Sequence, residues 1–153
     1  MAGSENQQWH IDSPHEAATH QPAHAVNVLV ALADVPLEAG PTQFARGSHV
    51  RTNHLRTPWL RRDDLLYQSA AEVTPDALGV ACHPAEALRA GDCLLFDDRV
   101  LHRGLANGRA TSDGLPTLAI GASVTWRSLT RRTLRRAGRC LGTVAALVDS
   151  ASE

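Results

Sequence analysis

Lysine is absent from this chain of 153 residues, and all 15 basic side chains are arginine. A lysine Schiff base and a phosphate-loop lysine are therefore excluded. Cysteine is scarce: Cys82, Cys93 and Cys140 are odd in number and form no C-x-x-C pair. That argues against a disulfide framework and a zinc ribbon, and makes an intracellular, cytoplasmic location the expectation. No apolar run approaches the roughly 20 residues of a membrane helix. The opening MAGSENQQWH lacks the basic end and apolar stretch of a secretory signal. A net charge of -1 argues against bulk nucleic-acid binding, so neither nucleic acid nor membrane is an expected partner. Internal repeats, low-complexity tracts and dividing linkers are also missing.

What is present reads as one globular domain over residues 1–153, with 43% apolar and 20% charged residues. The β-branched run 26–33 (VNVLVALA), closed by Asp34 and Pro36, predicts a buried strand. Residues 38–49 predict a turn, a short strand and a second glycine turn. Residues 92–97 (DCLLFD) and 117–126 (TLAIGASVTW) predict further strands. Two helices are expected. One is short, over 58–72 behind Pro58; the other is amphipathic, over 128–148, with Leu129, Leu134, Ala137, Leu141, Val144 and Val148 along one face. Many short strands with appended helices predict a sandwich or barrel.

The segment WHIDSP, residues 9–14, carries the chemistry. In an extended chain, residues two apart share a face, so His10 and Asp12 project together, away from Trp9 and Ile11. An imidazole and a carboxylate are two of the three ligands of a facial iron(II) site. His102, 92 residues beyond His10 and directly after the strand-like DCLLFDDRVL, is the best candidate for the third.

Taken together, WHIDSP, ALADVPLEAGPTQFARGSH (31–49) and GDCLLFDDRVLHRGLAN (91–107) resemble the phytanoyl-CoA dioxygenase family. The G-P…G-S-H segment is the specific part of the likeness, which covers about residues 7–126. The resemblance implies a mainly β fold, a double-stranded β-helix (a jelly-roll or cupin-like barrel), with a short lid helix and the C-terminal amphipathic helix outside the barrel core. It implies Fe(II), 2-oxoglutarate and O2 as cofactors, with His10, Asp12 and His102 as the catalytic metal ligands. Oxidative decarboxylation of the oxoglutarate would drive hydroxylation of a C–H bond in a small-molecule substrate. Only nine residues precede His10, so the barrel is expected to lack its first strand, as in an N-terminally shortened member. An exposed edge beside His10 would favour self-association.

The chain departs from the family at the oxoglutarate anchor. Relatives use an arginine shortly after the last His, before P-x-L; here Leu115 takes that place in L-P-T-L. Arg109, seven residues after His102, is the nearest substitute, and Arg127 is a poorer one. Alternatives stay open. A catalytically impaired relative could bind metal or a small ligand without turnover. A cupin-like binder would need more ligating residues than Glu38 supplies between Val26 and Arg46. His15, Glu16 and His20 form H-E-x-x-x-H, one residue too long for a zinc-protease helix, and with His24 are expected to border the entrance or lie in solvent. His49 is expected to set a turn, His54 and His83 have no evident partner, and Cys82 and Cys93 read as small core residues. Trp59, Arg61 and Arg62 fall where a lid could touch substrate. The six arginines of 127–139 are expected to form a solvated face.

Overall fold

The computed structural model describes residues 3–66, 73–109, 119–125 and 144–147, the last two ranges through their backbone and strand pairing. It is mainly β, with one short α-helix and three 3-10 turns among these residues. The strands are β1 (Ala25–Ala31), β2 (Thr42–Phe44), β3 (Cys93–Asp97), β4 (His102–Gly104), β5 (Ala119–Thr125) and β6 (Val144–Leu147). One sheet has the order β5-β1-β3-β6, and β2 and β4 form a second, antiparallel pair.

Alternation along β1 and β3 builds two layers of core. Val28 lies opposite Leu95, and Leu29 opposite Leu94. Val26, Val28 and Val30 pack with Cys93 and Leu95 on one face. Leu29, Leu94 and Phe96 turn the other way and meet Phe44 and Val100. Phe44 and Phe96 pack edge to face with centroids 4.9 Å apart, which joins the two sheets. A third cluster gathers Trp9, Ile11, Leu60, Leu65, Leu78 and Leu101 beneath the His10–Asp12 segment.

Two helical expectations change. Val144–Leu147 is a strand, paired in parallel with β3, where the amphipathic helix was expected to continue to 148. A four-residue apolar stretch fits either period, and the free edge of β3 supplies backbone partners that decide for the strand. Residues 128–143 lie outside the described residues. The 58–72 helix is seen as α1, Arg62–Leu66. Residues 53–60 are instead held in turns, with Arg56 and Thr57 N–H donating to Asn53 O and Leu60 N–H to Thr57 O. Residues 67–72 are not among those described. No helix of the described residues is long and apolar enough to cross a membrane.

Gly40 is needed where the β2 loop crosses the chain after β4. Its φ is +76°, and a Cβ there would lie 2.3 Å from Leu105 O. Gly40→Ala is expected to cost more than about 2 kcal/mol, from left-handed backbone strain plus that overlap. A lowered urea midpoint with an unchanged slope measures it.

Candidate metal centre

The His10–Asp12 segment is positioned from beneath. Trp9 and Ile11, 5% and 1% exposed, anchor the face opposite the two polar side chains. Arg103 lies over the Trp9 ring, 4.6 Å from its centroid. Ile11 N–H donates to Leu65 O, and Asp12 N–H to Asp98 O at 2.8 Å. His10 and His102 then exchange both backbone hydrogen bonds, at 3.0 and 2.9 Å. Residues opposed in this way share a face, and the two rings stand 4.5 Å apart.

This brings together three of the four residues singled out for the site. His10, Asp12 and His102 each offer a ligand atom within 4.8 Å of the others. His10 Nε2 is 4.0 Å from Asp12 Oδ1, and His102 Nε2 is 3.6 Å from Asp12 Oδ2. Both imidazoles are oriented by their second nitrogen. His10 Nδ1 bonds to Gln8 O at 2.9 Å, and His102 Nδ1 to Val100 O at 2.8 Å. A carbonyl only accepts, so each Nδ1 carries a proton, which leaves Nε2, on the Asp12 side, as the nitrogen that can ligate. Burial lowers the His102 pKa against the opposing charge of Asp12, keeping the ring neutral, as a ligand must be. Phe44 and Phe96 flank the same ring at 5.9 and 5.0 Å. Two imidazoles and a carboxylate gathered at one point, with Asp12 and His102 lining a cavity, are the donor set of a non-haem Fe(II) centre, and the residues fit that ion.

A cavity of about 490 Å3 opens at the triad, lined by Asp12 and His102 together with Gln7, Asn27, Thr42 and Phe96. A second, of about 300 Å3, shares Gln7, Leu29, Thr42 and Gly104 with it and runs on to Asn107. Arg109 lines neither among the described residues. Its backbone N–H donates to Asn107 Oδ1, and the preceding Gly108 N–H to Glu38 O. Leu115 and Arg127 lie outside the described residues.

Asn27, which the sequence reading passed over, donates from Nδ2 to Asp12 Oδ2. Its signal was a lone polar residue in an otherwise apolar strand, on the β1 face that β3 register assigns to Phe96. The other histidines serve elsewhere. His24 pairs with buried Asp98 at 3.5 Å, and His20 lies 5.7 Å from the buried His49 ring. Trp59 and Arg62 are exposed, and Arg61 is bonded to Asp64.

His15 is buried, and its Nε2 meets Thr52 Oγ1 at 3.0 Å. Burial, followed by the nearby Arg99 charge, pushes its pKa down from 6.5 to about 4. Between those values the unfolded chain takes up a proton that the folded chain refuses, so stability falls as pH falls through this window. The expected loss is up to about 3 kcal/mol, complete near pH 4 and absent above pH 6.5. Urea midpoints measured across that range check it, and His15→Gln should flatten the slope.

Comparison with known proteins adds the following. The family model described as phytanoyl-CoA dioxygenase (PhyH) matches residues 1–112. Comparison with curated proteins yields no match. Similar solved structures include the non-heme alpha ketoglutarate dependent carbocyclase SnoK from nogalamycin biosynthesis. It shows 24% identity over 69% of this chain and 38% of that one, with a TM-score of 0.45. They also include the non-heme alpha ketoglutarate dependent epimerase SnoN from nogalamycin biosynthesis, with 30% identity over 70% of this chain and 37% of that one, and a TM-score of 0.46. The chain thus spans well under half the length of either.

Proposed function

The chain belongs to the phytanoyl-CoA dioxygenase family, and on that premise we propose that it is a Fe(II)/2-oxoglutarate-dependent oxygenase acting on a C–H bond of a small organic or acyl substrate. The observation that carries this reading is the convergence of His10, Asp12 and His102 within 4.8 Å, with Asp12 and His102 lining a cavity. In this reading the described strands belong to a double-stranded β-helix. When bound, Fe(II) and 2-oxoglutarate would supply the electrons that reduce and so activate O2, which is the oxidant for the C–H bond.

The chain's own residues have definable parts. His10 and His102 would donate through Nε2, because backbone carbonyls hold their Nδ1 protons. Asp12 would donate through a carboxylate that Asn27 keeps turned toward the cavity. Three protein ligands on one side leave the other side to small molecules entering past Gln7 and Thr42. Arg109 remains the proposed partner of the oxoglutarate carboxylate, and hydroxylation the proposed outcome.

A second reading has its own observation: no arginine is among the described residues lining the cavity at the triad. It makes the chain an impaired relative that holds metal or a small ligand without turnover. Anaerobic addition of Fe(II) and then 2-oxoglutarate separates the readings. A visible charge-transfer band followed by succinate formation in air is expected for the oxygenase. A band without succinate under any candidate substrate supports the impaired relative, and no Fe(II) binding at all overturns the oxygenase reading.

A further inference from the structure

The turn between β3 and β4 contains a buried ion pair whose placement is unusual. Asp97 and Arg99 have side chains only 1% and 2% exposed. Asp97 Oδ1 accepts from the Arg99 backbone N–H and from Nε, both at 2.9 Å, and Oδ2 accepts from Nη2 at 2.6 Å. Val100 N–H closes the same turn onto Asp97 O at 2.9 Å. These hydrogen bonds join two residues that are already neighbours in the chain. Burying two charges costs desolvation that apolar side chains would avoid, so stability alone is a weak reason for it.

What the pair does fix is the direction of the carbonyls in the turn. Asp98 O accepts the backbone N–H of Asp12 at 2.8 Å. Val100 O accepts Nδ1 of His102 at 2.8 Å. Two residues of the triad thus hang from the carbonyls that flank that of Arg99. The Arg99 carbonyl between them is itself held by the Thr52 hydroxyl at 2.9 Å, and Leu101 N–H is held by Ser48 Oγ at 2.7 Å. A planar guanidinium bonded through two nitrogens resists rotation of the turn in a way a single-point contact cannot.

We propose that Asp97 and Arg99 are positioning residues: their buried fork sets the Asp98 and Val100 carbonyls and, through them, holds Asp12 and His102 in metal-binding geometry. This rests on the reading that the triad binds Fe(II). In this role the pair touches neither metal nor substrate and acts on the triad through the backbone.

The test uses the whole chain, with Asp97→Asn/Arg99→Met and Arg99→Lys. In the double variant the new amide oxygen can still accept the residue-99 N–H, and no unpaired charge is left buried. It is expected to unfold cooperatively, yet to bind Co(II) under anaerobic conditions about ten- to a hundredfold more weakly, the range for outer-shell partners. Arg99→Lys, which keeps the charge but loses the fork, should fall between the double variant and the unsubstituted chain. In metal-free protein, the His102 Nδ1 proton seen by NMR should exchange with solvent faster in both variants. A folded double variant with Co(II) affinity within twofold of the unsubstituted chain and an unchanged His102 proton would overturn the proposal. Should the double variant not fold, the same twofold criterion applied to Arg99→Lys decides it. Failure of the unsubstituted chain to bind any divalent metal would sink the triad reading instead, and the His102 proton exchange alone then judges the fork.

Discussion

Asp12→Ala is expected to lower Fe(II) affinity by more than about a hundredfold, since even partners outside the ligand shell are worth ten to a hundred. The substitution removes the only carboxylate of the triad, leaving two imidazoles to hold a divalent ion. It also leaves Asn27 Nδ2 without the acceptor it now has. The fold should survive, because the Asp12 side chain is 41% exposed and the neighbouring Ile11 carries the packing. Glu16→Gln is the matching control. It neutralises the exposed acid of the H-E-x-x-x-H segment and should leave metal affinity unchanged. Anaerobic calorimetry on the three proteins measures this. An Asp12→Ala chain that retains affinity within threefold would remove Asp12 from the site.

The contrast between Asp12 and Asn27 shows which parts of this molecule can be read from sequence. β1 and β3 were legible because one is an apolar, valine-rich run closed by Asp34 and Pro36 and the other a short apolar run opened by Gly91, and both fit little except a buried strand. His10 and Asp12 were legible because period two throws them to one side while Trp9 and Ile11 anchor the other. His102 needed both the chemistry of a third ligand and the family likeness. The hydrogen bond from Asn27 to Asp12 depends on packing between distant segments, which no local pattern encodes. The Asp97–Arg99 fork was equally hidden, since D-D-R at the end of a strand reads as solvated charge until burial is known. At β6, local preference and the free edge of β3 gave different answers, and the long-range pairing decided.

Weak 2-oxoglutarate binding is the second large effect expected, and it comes from the anchor position, where the chain departs from the family pattern. A carboxylate entering the cavity at the triad meets Gln7, Asn27 and Thr42, all neutral, among the described lining residues. Neutral donors bind a carboxylate more weakly than a guanidinium fork does. Lysine is absent, so no amine can stand in. A charge-assisted bond contributes about 1.5–3 kcal/mol, which corresponds to about ten- to a hundredfold in affinity. Placing arginine where the family pattern has it, Leu115→Arg, should therefore tighten oxoglutarate binding by about that factor while leaving Fe(II) affinity unchanged. Arg109→Ala asks whether the nearest natural arginine serves instead: a further loss would make it the anchor. Titration of the anaerobic Fe(II) protein, followed through the charge-transfer band, reads both variants. If the unsubstituted chain binds oxoglutarate in the micromolar range (about -8 kcal/mol) and Arg109→Ala does not change it, the anchor is neither Arg109 nor missing. The carboxylate must then be held by another arginine, and Arg127, outside the described residues, is the next to substitute.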